Sequence, residues 1–172
     1  GYQAGAAMAT SSQSSFFGYQ AGLATTGPAN NFFGAFAGKA NTSGVNNVAI
    51  GNLALSTNID GDDNTAIGSN ALRTLEPADG SSYNTAVGSQ AGYAVTTATQ
   101  NTLIGALVGD AITTGGSNVA VGMKALTTET EGSTAVAVGY SALEAQNMGA
   151  ETANYNVAVG YKAGEAVTTG IK

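Results

Sequence analysis

The acidic residues are the part of this sequence whose types and spacing could bind a metal ion. Asp60, Asp62 and Asp63 stand close together, and Glu76 and Asp79 follow in the next stretch of chain. Oxygen ligands on loops suit Ca²⁺, but the spacing fits neither an EF-hand loop nor a nine-residue calcium-binding repeat. The alternative is a solvated turn that keeps the protein soluble. We expect no cofactor, and Ca²⁺ at Asp60, Asp62 and Asp63 is the alternative to test.

Catalysis has few candidate groups in this chain. The sequence contains no His and no Cys, which removes the commonest general base, the commonest zinc ligand and any thiolate metal site. Glycoside cleavage needs two carboxylates facing each other across a groove, whereas the acids here all fall in predicted turns. Glycines are frequent, but no Gly-Lys-Ser/Thr phosphate loop follows them. The sequence therefore predicts no enzymatic activity, with no catalytic and no cofactor-binding residues.

Charge and hydrophobicity argue against two classes of partner, nucleic acids and membranes. Charged residues make up 9% of the chain, the net charge is −6, and the five basic residues are scattered at Lys39, Arg73, Lys124, Lys162 and Lys172. Binding of DNA or RNA phosphates needs clustered Lys and Arg, so we expect no nucleic-acid partner. No run of about 18 apolar residues exists, so we expect no membrane insertion.

A phrase of the form Asn-(Thr/Val)-Ala-(Ile/Val)-Gly recurs along the whole chain. Its glycines are spaced by 16 to 21 residues, most often by 17: Gly1, Gly18, Gly34, Gly51, Gly68, Gly88, Gly105, Gly122, Gly139 and Gly160. A fixed period of this size indicates a solenoid in which each repeat is one coil. We predict one all-β domain over residues 1–172, a parallel β-solenoid of about ten coils of ~17 residues. Neither end shows a distinctive cap, so we expect a segment of a longer fibre chain.

Each coil can be numbered from its motif glycine as position 0. Positions −3 to −1 alternate with period two and are rich in β-branched residues, which predicts a short strand. Glycine at position 0 indicates a corner with positive φ, and Asn at position −4 is its predicted partner, because Asn tolerates left-handed conformations and bonds nearby backbone. The predicted corner residues are Gly18, Gly34, Gly51, Gly68, Gly88, Gly105, Gly122, Gly139, Gly160, Asn47, Asn64, Asn84, Asn101, Asn118 and Asn156.

Position −1 is always large and apolar, so we predict that it forms the core. These residues are Phe17, Phe33, Ile50, Ile67, Val87, Ile104, Val121, Val138 and Val159. Position −2 is mostly Ala, which suggests close approach by another layer or another chain and a possible seam between copies. About two aliphatic side chains per coil make a thin core, so we expect the coils to bury a further face against copies of themselves.

The repeat resembles a known family. The strings from Asn46 to Gly51, from Ser117 to Gly122 and from Tyr155 to Gly160 closely resemble the repeats of trimeric autotransporter adhesin heads. The phrase Gly-Tyr-Gln-Ala-Gly, at Gly1 and Gly18, also looks like repeats of phage tail-fibre proteins. The resemblance implies a left-handed β-roll, a homotrimeric rod and no catalytic residues.

The resemblance also implies a function. It suggests an extracellular structural and adhesive segment, of a virion tail fibre or similar fibre, which presents loops to a glycan or protein of a host or target cell surface. A bacterial cell-surface trimeric adhesin head shares the fold and is the alternative. A polysaccharide-degrading spike is a third, less favoured class.

Overall fold

The computed structural model describes residues 1–9, 13–77, 80–149 and 153–170. Asp79 and Lys172 lie outside these residues. Within them the protein is an all-β parallel solenoid that makes about eight turns and contains no helix. The coarse prediction of a parallel β-solenoid is therefore confirmed.

The strands are short and follow the repeat. Nine of them form one parallel sheet in the order β1-β2-β3-β5-β7-β8-β9-β10-β11, and β4 pairs with β6 in a second sheet. Their bounds are β1 Ser15–Phe17, β2 Asn31–Phe33, β3 Val48–Ile50, β4 Gly61–Asp62, β5 Thr65–Ile67, β6 Gly80–Ser81, β7 Thr85–Val87, β8 Thr102–Ile104, β9 Val119–Val121, β10 Val136–Val138 and β11 Val157–Val159.

Equivalent positions of successive coils lie side by side. In the large sheet Val48 pairs with Thr65, and Val136 pairs with Val157, so that position −3 always meets position −3. The corner continues the ladder, because the backbone N–H of Gly68 donates to the carbonyl of Ile50 at 2.7 Å. The repeat of the sequence is thus the repeat of the backbone hydrogen bonds.

The prediction that position −1 forms the core is wrong. Position −2 points into the coil, where Ala49, Ala66, Ala120 and Phe32 are fully buried. Position −1 points outwards: Phe17, Phe33, Ile50, Ile104 and Val159 are exposed, and Ile67, Val87, Val121 and Val138 are partly exposed. The interior of so tight a coil is narrow, and Ala at position −2 leaves room in it for side chains from the opposite wall. The small Ala row therefore lines the inside of the chain and is not a seam between copies.

The remaining core side chains come from the segment after the glycine. Leu55, Leu72, Leu126 and Leu143, at position +4, are buried, and their φ angles lie between 45° and 56°. Left-handed backbone costs a non-glycine residue roughly 1 kcal/mol or more. Burial of the leucine side chain offsets that cost, at roughly 1.5–3 kcal/mol per residue.

The motif glycines are corners, as predicted. From Gly18 to Gly160 their φ angles lie between 129° and 144°, a region that residues with a Cβ rarely enter. A Cβ on any of those from Gly18 to Gly139 would also stand only 2.2 to 2.6 Å from the carbonyl oxygen of the motif glycine in the next coil. Conformation and close stacking both require glycine here.

Candidate self-association face

Positions −3 and −1 of the large sheet form an uncharged face on the outside of the solenoid, which we call the outer aliphatic face. In its second half the face consists of Thr102, Ile104, Val119, Val121, Val136, Val138, Val157 and Val159. The exposed fraction is 40% for Ile104 and 70% for Val157, at the last strand. Parallel sheets normally have both faces covered, so this face has the composition of a buried surface without a cover.

The area of the outer aliphatic face is comparable to that of the largest apolar patch on an ordinary monomer. Nine strands, about 4.8 Å apart and three residues long, span roughly 400 Å². The largest apolar patch on an ordinary monomer is itself about 300–600 Å² and often functional. A standard protein interface buries about 800 Å² per partner, so residues that flank the face must contribute if it is an interface.

Aromatic residues flank the face at both ends, one position beyond the corner glycine for the four tyrosines and two positions beyond it for Phe36. The rings of Tyr2 and Tyr19 stack with centroids 5.5 Å apart, and Phe36 meets Tyr19 edge-on at 5.3 Å. At the other end Tyr140 and Tyr161 stack with the same 5.5 Å separation. Stacked rings are rigid and amphipathic, which suits contact with another surface. Phe16 and Phe32, by contrast, pack against each other in or beside the core.

A ladder of buried Asn side chains fixes the edge where the outer face begins. The Oδ1 atom of Asn47 accepts the backbone N–H of Asn64 at 3.0 Å, and Asn101 and Asn118 repeat the bond at 2.9 Å. The amide nitrogen of each then donates to a backbone carbonyl, as Asn101 does to Gly115 at 2.9 Å. Backbone groups that a narrow coil would leave buried and unpaired are satisfied in this way.

The structure places the left-handed residue one position earlier than we expected. It lies at position −5, with φ between 50° and 66° from Asn46 to Tyr155, and not at Asn of position −4. Asn156, in the last described coil, donates its amide to the carbonyl of Gly170 and to Oε1 of Gln146. The Asn row therefore acts through its side-chain amides.

The acidic residues predicted as a calcium alternative are already engaged as hydrogen-bond acceptors. Asp62 Oδ1 accepts the backbone N–H of Val45 at 2.7 Å. Asp63 accepts from Asn46 and from Ser81, at 3.1 and 2.8 Å. Asp60 accepts from the hydroxyls of Thr42 and Ser43. Across the described ranges no group of three or more acidic, His or Cys side chains is placed to hold a metal ion.

Glu76 lies beside this cluster and responds to it. Glu76 is exposed, but partial desolvation of its carboxyl by neighbouring atoms, and then the negative charge of Asp60, raise the pKa of that carboxyl above its usual value. Both causes disfavour the ionised form in the folded protein. The turn that carries Glu76 is therefore slightly destabilised when the carboxyl is charged.

The sequence reasoning missed a polar row inside the solenoid. Asn41, Asn58, Glu129 and Gln146 all occupy position +7 and are fully buried. The signal was present, because each lies seven residues after a motif glycine, where other coils carry Leu75, Val95 or Ile112. These polar residues replace aliphatic ones at a single structural position.

In the described part of the chain no helix has the length and apolar character needed to cross a bilayer. A scan of protein-family models, a search of curated proteins and a search of solved structures each found nothing that matches this chain.

Proposed function

We propose that this chain is a structural and adhesive fibre segment, a homotrimeric left-handed solenoid rod of a phage tail fibre or similar extracellular fibre. It extends from a particle and presents loops to a glycan or protein on a host or target cell surface. A bacterial cell-surface adhesin head is the second candidate, since the resemblance of the repeat favours it equally. A polysaccharide-degrading spike is the least favoured, because the acidic side chains of the Asp60 cluster are spent on hydrogen bonds.

The outer aliphatic face is the observation that carries the proposal. It is uncharged and repeated at the strand spacing of about 4.8 Å, so a second copy of the chain offers a surface of the same period. Three copies around one axis would cover all three faces and leave no open edge of the assembly, whereas an open contact would continue into a filament. The tyrosine pairs at both ends would extend each contact.

Two insertions supply the loops. The turns after Glu76 and after Asn147 are longer than the others by three and four residues, and both begin at position +8 of their coils. The first is supported by the β4–β6 pairing, and the second by a bridge between Ser133 and Ala153. Four coils separate them, which places them about 19 Å apart along the rod. Loops on a rigid scaffold commonly carry the binding residues.

Loop replacement tests the proposal. Residues 76–83 are replaced by the five-residue turn of residues 59–63, and residues 147–155 by residues 130–134. We expect the unaltered protein to bind a glycan array or whole bacterial cells, and binding to be lost in at least one replacement while the assembled mass is unchanged. Absence of binding by the unaltered protein, or binding that survives both replacements, would overturn the adhesive role. Release of sugar fragments from a bound polysaccharide would favour the spike instead.

A further inference from the structure

The last three strands of the large sheet have the same sequence. β9, β10 and β11 each read Val-Ala-Val, and they pair in parallel with equivalent residues side by side. If the coil that contains β10 were looped out, β9 would make the same contacts with β11 that it makes with β10. The strands alone therefore do not determine which coil stacks on which.

The Asn ladder favours stacking the coil of β11 directly on the coil of β9, which is not the native order. Ala135 occupies position −4, where most coils carry Asn, and only its backbone N–H joins the ladder, donating to Asn118 Oδ1 at 2.9 Å. Stacking the coil of β11 directly on that of β9 would bring Asn156 beside Asn118 and make the side-chain ladder continuous. The Asn ladder therefore does not oppose this arrangement.

Glu129 and Gln146 form a hydrogen-bonded pair between the coils of β9 and β10. Both are fully buried. Glu129 Oε1 accepts the backbone N–H groups of Thr130, Gly132 and Met148 at 3.1, 2.8 and 3.2 Å. Its Oε2 atom accepts the amide of Gln146 at 3.0 Å. The carboxylate is thus satisfied by groups from its own coil and from the coil of β10.

The fold does not need polar residues at this position. Leu75, Val95 and Ile112 fill it in three successive coils and are fully buried. A buried carboxylate is costly unless its partners are all in place, and an aliphatic replacement of similar volume is often neutral or stabilising. In the looped-out arrangement Glu129 would face Val167, the residue at position +7 of the coil of β11. It would lose the side-chain amide of Gln146 as a donor, because valine has none, which makes that arrangement unfavourable.

We propose that the Glu129–Gln146 pair is a register key, which prevents the coil of β10 from being skipped while the chain folds. The skipped form gives up the burial of one coil, so it is a folding trap and not a rival native state. Looping out about 20 residues adds little closure entropy, and repeat proteins characteristically misassemble in this way. Compared with aliphatic residues at this position, the pair lowers the stability of the fold but makes one stacking order of the coils the favoured one.

Disulfide trapping distinguishes the two registers, since the chain has no cysteine of its own. Val136→Cys with Val157→Cys, which we call the native trap, forms a disulfide when β10 pairs with β11. Val119→Cys with Val157→Cys, which we call the skipped trap, forms a disulfide when β9 pairs with β11. In the native register Val119 and Val157 are two strands apart, about 9.6 Å, beyond the reach of a disulfide. The full chain is unfolded, refolded under reducing conditions and then oxidised, and intrachain disulfides are counted by peptide mass.

We expect only the native trap to close when Glu129 and Gln146 are present. In a Glu129→Leu/Gln146→Leu background the skipped trap should close several-fold more often, and adding Ala135→Asn should reduce it again. The matched control is Asn41→Leu/Asn58→Leu, which removes a buried hydrogen-bonded pair beside strands of different sequence. That control should leave the skipped trap of β9 and β11 as rare as in the unaltered protein.

Two results would overturn the register key. The first is that, in the Glu129→Leu/Gln146→Leu variant (the leucine pair), the native disulfide forms and the skipped disulfide is no more frequent than in the unaltered protein. The other is failure of both traps in the leucine pair and also in a Glu129→Val/Gln146→Val pair, because the proposal requires that aliphatic residues fit at this position.

Discussion

Leu103 occupies the space that a side chain on Gly92 would need. An ideal Cβ on Gly92 would stand 2.8 Å from the Cδ1 atom of Leu103, and the φ angle of Gly92 is 58°. Leu103 takes position −2, where most coils carry Ala, and Gly92 takes position +4, where four coils carry Leu. The same exchange recurs where Phe32 fills the space beside Gly38. Leu103 and Gly92, in neighbouring coils, and Phe32 and Gly38, in one coil, therefore each combine a large residue at position −2 with a glycine at position +4 that leaves it room.

This relationship predicts a strong energetic coupling between the two sites. Gly92→Ala should destabilise the protein by about 1–3 kcal/mol, because the new Cβ overpacks the core. In a Leu103→Ala background, which itself costs about 2–5 kcal/mol, the same change should cost less, because the closest contact is then gone. The left-handed backbone and the Cδ2 atom of Leu72, which would stand 3.0 Å from the new Cβ, still oppose it. Denaturant unfolding of the double-mutant cycle measures the coupling. Equal costs in both backgrounds would contradict the idea that Leu103 fills the space beside Gly92.

The Asn ladder predicts graded losses of stability at Asn101. Asn101→Ala removes the acceptor of the Asn118 N–H and the donor to Gly115, and each orphaned buried group costs about 1–3 kcal/mol. Asn101→Ser should cost less, because Ser14 accepts the equivalent N–H of Asn30 at 3.0 Å. Thermal unfolding of both variants measures the order. A serine variant no more stable than the alanine variant would contradict it.

The raised pKa of Glu76 predicts a pH-dependent effect of Glu76→Gln. A carboxyl whose pKa is higher in the folded than in the unfolded state lowers the free energy of unfolding as the pH rises above the usual value of 4.5. Glu76→Gln should therefore raise the unfolding temperature at neutral pH. It should have no such effect near pH 3, where the Glu76 carboxyl is protonated in both the folded and the unfolded protein. A variant less stable than the unaltered protein at neutral pH would argue against this sign.

The hydrogen bonds of the acidic cluster predict little response to calcium. A cation at Asp60, Asp62 and Asp63 would have to displace the donors of Val45, Asn46 and Ser81. A specific site at 100 times its dissociation constant would add about 2.7 kcal/mol to the free energy of unfolding. We expect the same unfolding temperature in calcium and in chelator. A rise in calcium that Asp62→Asn abolishes would establish the calcium site.

The sequence predicted the backbone of this fold better than its interior. A period of about 17 residues, a three-residue strand and a corner glycine follow from Asn64 to Gly68 and their repeats, and the structure confirms the parallel solenoid. The predicted inward-facing position of the strand was wrong by one residue, because position −2 and not position −1 faces the core. Both faces of a strand in the large sheet carry apolar residues, as Ala120 and Val121 illustrate, so alternation alone does not decide which side faces inwards. That choice depends on the width of the coil, which tertiary packing sets. The burial of Glu129 depends equally on partners in another coil.

The mass of the folded protein in solution tests the central claim most directly. Light scattering at low micromolar concentration should give three times the chain mass of 16.8 kDa. Val121→Lys, which would bring three like charges into the covered outer aliphatic face, should give the single-chain mass with an unchanged strand spectrum. Thr97→Lys, at an exposed site outside that face, should remain trimeric. A stable monomer of the unaltered protein, or a Val121→Lys variant that is still trimeric, would contradict the account.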